Sequence, residues 1–170
     1  MIGKCALAVS AALLLALPAW SATAPKLSLR SLAELPVVER YPYDEHADAD
    51  KAVAAAFARA RKSHKRVLID LGGNWCGDCV VLANVMQLPE MKPFLAAHYE
   101  IVSVDVGRFD KNLQIPARFG IKKRLAGVPS LLIVEPDGKT LLDAGDVSAL
   151  ADARHMTPQG LADWLAKWAK

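Results

Sequence analysis

The sequence predicts an α/β domain, with a central mixed β-sheet and helices on both faces. Two largely apolar segments with β-branched residues, 67–71 and 99–106, are typical of strands that are covered on both sides. Segments with helical spacing of apolar residues alternate with these runs, as in α/β folds. A short turn, Pro136-Asp137-Gly138, then joins two further strand-like segments and predicts an antiparallel hairpin.

Residues 1–24 have the layout of a secretory signal peptide. Lys4 supplies the positive charge, residues 5–20 are almost wholly apolar, and small residues follow at 21–24. The apolar run is shorter than the roughly 20 residues of a spanning helix. We therefore expect cleavage between residues 21 and 24, no stable membrane insertion afterwards, and a bacterial periplasmic location. Cys5 leaves with the signal.

The chain has 170 residues and a net charge of +3, and it contains three cysteines. Removal of the signal leaves one domain of ordinary size, large enough to bury a core, with a charge of +2. So small a charge, with no basic patch between aromatic residues, does not indicate a nucleic-acid partner. Nothing in the sequence indicates an obligate dimer, so we expect a monomer.

The first part of the domain is predicted as a lead-in followed by a helix and a strand. Residues 25–46 form the lead-in, with one short edge strand near Pro36-Val37-Val38. From residue 47 to 63 the chain is Ala-rich, with apolar residues at helical spacing, and the folded domain is predicted to run from 47 to 170.

The remaining elements follow in order. We predict helices at 76–86, 90–97 and 111–119, and the first two are separated at Leu88-Pro89 because proline disrupts a helix. Residues 131–135 and 139–144 form the hairpin. Thr157 caps the last helix, with Pro158 at its first position. The buried stripe of that helix comprises Leu161, Trp164, Leu165 and Trp168.

The run Trp75-Cys76-Gly77-Asp78-Cys79 lies between a predicted strand and a predicted helix. It holds the only two cysteines that remain after signal removal. Cys76 lies at the helix N-terminus, where unpaired N–H groups and the helix dipole stabilise a thiolate. Cys79 follows almost one turn later on the same side. The pair is therefore suited to a reversible disulfide, in which Cys76 attacks and Cys79 resolves.

Other uses of a CxxC pair fit this sequence less well. A structural disulfide across so short a loop constrains the unfolded chain little. Zinc needs about four ligands, and there is no second CxxC. Covalent haem attachment needs a histidine where Val80 stands. A thiol-based carrier of a metal or a partner protein stays open as an alternative.

This run, together with Asp70 six residues before it and Val128-Pro129-Ser130 before the hairpin, resembles the thioredoxin family over residues 50–170. The resemblance implies a thioredoxin-like fold and exchange of disulfides with cysteine-containing substrate proteins and a redox partner protein. It implies no cofactor beyond the Cys76–Cys79 pair.

The resemblance also assigns roles to individual residues. Asp70 is expected to be a buried acid that assists proton transfer to Cys79. Pro129 is expected to be a cis-proline that faces the disulfide, with the Val128 backbone holding the substrate chain. Gly145 falls beside the substrate groove. Contact with the substrate is expected from Trp75, Gly77, Asp78, Val128 and Pro129.

Three departures from the family bear on the direction of electron flow and on partners. Asp78 replaces the usual proline, Ser103 replaces a lysine near the buried acid, and Lys122-Lys123-Arg124 lies in a longer loop that suits an acidic partner. The charge of Asp78 opposes a thiolate on Cys76, which favours a reducing pair, whereas an acid also suits the first turn of a helix, so two effects compete. The basic run 122–124 is placed either to offset this charge or to contact an acidic partner. Gly77 and the family resemblance point to a reductant as well. We therefore expect a reductant, with an oxidase or isomerase as the alternative.

Overall fold

The sheet of the protein has three strands and is mixed. In a computed structural model, which describes residues 22–170, the strands are β1 (Arg66–Gly72), β2 (Tyr99–Asp105) and β3 (Ser130–Val134). Their order is β2-β1-β3, and β1 pairs parallel with β2 and antiparallel with β3. The predicted mixed sheet is thus confirmed. The predicted signal peptide lies outside the described residues up to residue 21.

Helices cover both faces of this sheet, as predicted. Alternate residues of β1 enter different cores: Ile69 and Leu71 pack with the first helix, and Leu68 packs with the others. This two-sided burial explains the continuous apolar run. The helices are α1 (Ala49–Ser63), α2 (Gly77–Met86), α3 (Met91–His98), α4 (Gln114–Ala117) and α5 (Pro158–Lys167), with short 3-10 turns at Leu32–Glu34 and Ala153–His155.

The last helix begins where the sequence predicts. The Thr157 hydroxyl accepts the Gly160 N–H at 3.0 Å, and Pro158 takes the first helical position. On its predicted stripe, Leu161 and Leu165 are fully buried. The other two members, Trp164 and Trp168, are half-buried and pack edge to face.

The predicted edge strand near Pro36-Val37-Val38 is wrong, because this segment is irregular. Its backbone groups bond to one buried side chain instead of to a strand. The N–H groups of Val38 and Glu39 donate to Asn84 Oδ1 at 2.7 and 2.9 Å, and Asn84 Nδ2 donates to the Glu39 carbonyl at 2.7 Å. Asn84 of α2 therefore fastens the lead-in to the domain.

The predicted hairpin is only half formed, because residues 139–144 make no regular strand. A single bridge joins Val134 to Leu141. The Ile133 N–H then donates to the side-chain Oδ1 of Asp143, at 3.0 Å, rather than to a backbone carbonyl. A carboxylate that takes the place of a strand carbonyl ends the ladder there.

The predicted helix over 111–119 is reduced to the four residues of α4. Asn112 has a positive φ of 53°, and its side-chain Nδ2 donates to the Asp105 carbonyl at 2.8 Å. Such a local side-chain bond competes with the first helical turn. Gly120, with a φ of 85°, follows the end of the helix.

Asn84→Ala is expected to lower the free energy of unfolding by about 1–3 kcal/mol, because it removes the three hydrogen bonds that join the lead-in to this buried side chain. Urea unfolding of the oxidised protein at pH 7 measures the change. Gln87→Ala, in the exposed last turn beside it, is the matched control and should change stability by less than about 0.5 kcal/mol. Equal stabilities of the two variants would contradict the fastening role of Asn84.

Candidate active site

The two cysteines of the CxxC run form a disulfide at the N-terminus of α2. Cys76 is the N-cap residue, and its sulfur accepts the Cys79 N–H at 3.1 Å. Their Cα atoms lie 5.2 Å apart. Cys76 retains 5% exposure, whereas Cys79 has none. A partner in solution therefore reaches the sulfur of Cys76 first.

The loop before β3 faces this disulfide. The Val128–Pro129 peptide bond is cis, and the Val128 carbonyl oxygen lies 3.3 Å from Cys76 Sγ. The adjacent Ser130 hydroxyl donates to the Gly127 carbonyl at 2.7 Å and so closes the loop. The structure thus brings Cys76 together with Val128 and Pro129, which lie more than 50 residues later in the sequence.

Asp70 lies in β1 beneath the disulfide and is fully buried. The Tyr43 hydroxyl donates to Asp70 Oδ1 at 2.9 Å, while Oδ2 has no hydrogen-bond partner within the described part of the chain. Burial raises the pKa of Asp70 to about 7, although the hydrogen bond from Tyr43 acts in the opposite sense. A group with this pKa can accept and release a proton at neutral pH.

Tyr43, a residue of the lead-in, is a member of the site that the sequence did not reveal. It lies outside the segment that carries the family resemblance, and an isolated tyrosine gives no signal in the sequence. It is 2% exposed, and burial together with the Asp70 carboxylate raises its pKa well above the usual value. Ser103, opposite Asp70 in the β1–β2 register, is not the group that bonds this acid.

Glycine at position 72 allows Tyr43 to enter the site. A Cβ atom on Gly72 would lie 2.2 Å from the Tyr43 hydroxyl oxygen and 2.9 Å from Cys79 Sγ, so no larger residue fits. Asn74 secures the tyrosine backbone, because its Oδ1 accepts the Tyr43 N–H at 3.0 Å and its Nδ2 donates to the Tyr43 carbonyl at 2.9 Å. The hydroxyl is thereby held beside both Asp70 and Cys79.

Trp75 forms part of an exposed surface next to Cys76, where cations stack on aromatic rings. Its ring is 44% exposed, and Nε1 donates to the Gly107 carbonyl at 2.7 Å. The Arg108 guanidinium lies 4.8 Å from the Trp75 ring centroid. Phe109 packs on Trp75, and the guanidinium of Arg124 lies 4.1 Å from the Phe109 centroid. The surface is therefore both aromatic and basic.

Asp78 does not project freely from the CxxC run. It is 8% exposed, and its Oδ1 accepts the backbone N–H of Arg154 at 2.9 Å. Its Oδ2 lies 3.1 Å from Arg154 Nη2. The arginine belongs to the 3-10 turn before α5, 76 residues away in sequence, and no pattern in the sequence indicates this pairing. Arg154 therefore compensates the charge that entered the expectation of a reducing pair.

A shallow groove of about 270 Å³ lies beside the cis-proline loop. Gly145 is one of its walls, in agreement with the position implied by the family resemblance. Arg124 lies on the same rim, and Leu125 and Ala126 line the side that leads to Val128. The groove and the aromatic surface therefore share Arg124.

In the part of the chain from residue 22 onward, no three His, Cys, Asp or Glu side chains come together as a metal site. Over the same residues, no helix has the length and apolar character that crossing a membrane requires.

Comparison with known proteins identifies relatives of this site. A family profile described as Thioredoxin-like matches residues 48–136. The thioredoxin of Haemophilus influenzae is 35% identical over 69 residues, which cover 41% of this chain and 56% of that protein. The thioredoxin of Acidithiobacillus ferridurans is 31% identical over 93 residues, 55% of this chain and 75% of that protein. The chain thus spans little more than half of the Haemophilus protein.

A solved structure extends the similarity beyond this segment. The crystal structure of a disulphide isomerase from Xylella fastidiosa Temecula1 is 39% identical in sequence. The match covers 74% of this chain and 95% of that one, with a TM-score of 0.68.

Asp70→Asn is expected to make the oxidised protein more stable than wild type at pH 8. The pKa of Asp70 is about 7 in the folded protein and 3.8 ordinarily, so between these values only the folded chain holds the proton. Wild-type stability therefore falls as pH rises from about 4 to 7. The side-chain oxygen of asparagine still accepts the hydrogen bond from the Tyr43 hydroxyl, but asparagine does not ionise.

Urea unfolding of both proteins at pH 4, 6 and 8 measures this difference. The free energies of unfolding of the two proteins should differ by less than about 1 kcal/mol at pH 4 and by about 4 kcal/mol at pH 8. Parallel pH profiles would show that Asp70 ionises at its ordinary value.

Tyr43→Phe is expected to move the pH profile of disulfide reduction to higher pH. The Tyr43 hydrogen bond lowers the pKa of Asp70, so its removal raises that pKa and delays formation of the carboxylate. Single-turnover reduction of a disulfide peptide between pH 5 and 9 provides the readout. Tyr41→Phe is the control, because Tyr41 lies in the same segment and is 74% exposed. An equal shift in both variants would contradict the role of Tyr43.

Proposed function

We propose that this chain, which belongs to the thioredoxin-like family, is a thiol–disulfide oxidoreductase whose dithiol form reduces disulfides in other proteins of the bacterial periplasm. One observation carries this proposal: the disulfide presents Cys76 to a partner beside the Val128 carbonyl and keeps Cys79 buried near Asp70. The similarity to thioredoxins supports the reducing direction.

The exchange proceeds in two steps. The Cys76 thiolate, at the N-terminus of α2, attacks one sulfur of the substrate disulfide, and the other substrate sulfur leaves as a thiolate. Asp70 then takes the proton of Cys79, whose thiolate attacks Cys76 Sγ. The second substrate thiol is released and the Cys76–Cys79 disulfide forms. Two electrons pass to the substrate, and a redox partner protein must return them.

We assign contact with the substrate chain to the surface around Cys76. The main chain of the substrate bonds the Val128 backbone next to Pro129, and the substrate's side chains pack on Trp75. The substrate chain also contacts Gly77. Arg124 stands on the rim of the adjoining groove and on the aromatic surface. Its charge suits an acidic residue in the partner.

The location and the chain organisation complete the proposal. Residues 1–24 act as a signal peptide that is removed on export, and residues 47–170 form the thioredoxin-like domain. The lead-in, 25–46, contributes Tyr43 to the active site of that domain. The mature protein works as a monomer with no cofactor besides its own disulfide.

A second candidate function is disulfide isomerisation. The similarity to the Xylella fastidiosa disulphide isomerase, which is 39% identical and matched over 95% of its length, favours it. Both functions begin with attack by Cys76. They differ in whether Cys79 ends the encounter by reducing the substrate or whether another substrate thiol displaces Cys76.

The reduction potential of the Cys76–Cys79 pair, measured by equilibration with glutathione, separates these functions. A reductant should have a value near about −270 mV, whereas about −120 to −180 mV indicates an oxidase or isomerase. Cys76→Ser should abolish reduction of a disulfide protein, because it removes the attacking sulfur.

Cys79→Ser provides the matched control, since it keeps the attacking thiol and should accumulate a mixed disulfide with the substrate. Turnover that persists in Cys76→Ser would contradict the mechanism. Stoichiometric metal in the purified wild-type protein, with no turnover, would instead support a thiol-based carrier.

A further inference from the structure

The ion pair between Asp78 and Arg154 joins two separate elements at the redox site. Asp78 belongs to the first turn of α2, and Arg154 to the 3-10 turn Ala153–His155. Both carboxylate oxygens are occupied, one by the arginine backbone N–H and one by its guanidinium. The pair also raises the pKa of Arg154 further above its usual value. The Asp78 side chain, held by these two contacts, is 11% exposed, while the arginine side chain that pairs with it is 58% exposed.

The arginine side chain also lies over the CxxC run itself. A Cβ atom on Gly77 would lie 3.4 Å from Arg154 Nη1 and 3.5 Å from its Cδ. Gly77 is the residue between Cys76 and Asp78. The guanidinium is therefore placed next to the N-terminus of α2, where the thiolate forms on reduction.

The charged groups of neighbouring elements have partners of their own. Asp70, on β1, is buried with Tyr43 on the Cys79 side, and Asp105, at the end of β2, is paired with Lys111. The side chains of Asp152 and His155, on the same turn as Arg154, contact one another and are exposed. Arg108 is stacked on the Trp75 ring. Asp78 and Arg154 thus form the pair of opposite charges that lies at the CxxC run.

We infer that Arg154 is a positioning residue that compensates the charge of Asp78 and so sets how reducing the Cys76–Cys79 pair is. This inference rests on the proposed function of that pair. With both charges present, the field at the thiolate is that of the helix N-terminus alone. Removal of either partner leaves one uncompensated charge at the CxxC run. That charge is negative when Arg154 is replaced and positive when Asp78 is replaced.

The signs follow from the effect of a charge on a thiolate. Arg154→Gln leaves the Asp78 carboxylate, which disfavours the Cys76 thiolate and makes the pair more reducing. Asp78→Asn leaves the guanidinium, which favours the thiolate and makes the pair less reducing, because the reduced state is stabilised. The double variant removes both charges and should return close to wild type.

The test measures two quantities on the full-length mature protein and these three variants. The pKa of the Cys76 thiol, from absorbance at 240 nm in the reduced protein, should rise by about one unit in Arg154→Gln and fall by a similar amount in Asp78→Asn. The equilibrium constant with glutathione should shift by up to about tenfold in opposite directions. The double variant should lie within about twofold of wild type.

Two controls separate this role from simple support of the fold. Arg154→Lys keeps the charge and should restore most of the wild-type thiol pKa. Arg59→Gln removes a comparable ion pair, that with Glu100 at the far end of the sheet, and should leave the thiol pKa unchanged. A merely structural pair would instead lower stability in both single variants without shifts of opposite sign.

The outcomes distinguish this inference from the proposed function. Shifts of the same sign, or no shifts, in variants that still reduce disulfides would overturn the inference and leave the function intact. Shifts of opposite sign in a protein without disulfide-reducing turnover would support the role of Arg154 and overturn the function.

Discussion

The burial of an ionisable carboxyl group in the central strand is the constraint on which the site depends. Asp70 is fully enclosed, so its charged form is disfavoured and its pKa rises to about 7. Among residues 22–170, only the Tyr43 hydroxyl bonds it. The hydroxyl can lie beside Asp70 because residue 72 is glycine, which leaves space for the tyrosine ring, and because Asn74 holds the tyrosine backbone. The lead-in is therefore built into the active site.

The two acids of the site, Asp70 and Asp78, lie beside different cysteines, and each cysteine acts in a different step of the proposed exchange. Asp70 lies with Tyr43 on the side of the buried Cys79, where the proposed mechanism removes a proton before the mixed disulfide resolves. Asp78 lies beside Cys76, where a carboxylate without compensation would oppose the attacking thiolate, and Arg154 meets it there. Each acid has one partner, and each partner comes from a segment that packs against α2 or β1 from outside the CxxC run.

The parts of the fold that depend on local pattern were predictable. The strand at 67–71 and the start of the last helix at Thr157 follow from apolar runs and capping residues. The failures involve side chains that replace backbone partners, as Asn84 does for the segment at 36–38 and Asp143 does for the second hairpin strand. Tyr43 was missed for a related reason. Its partner Asp70 is 27 residues away, and no periodicity connects the two.

The two residues that complete the electrostatics of the site both lie outside the segment common to the family. The family profile matches residues 48–136, whereas Tyr43 precedes that segment and Arg154 follows it. The matched segment supplies the disulfide, the buried acid and the cis-proline on which the proposed disulfide exchange depends. From the two flanks, Tyr43 bonds Asp70 and Arg154 bonds Asp78. Substitution of these two flanking residues should therefore alter the proton affinity of Asp70 and the net charge at the CxxC run, even though residues 48–136 stay the same.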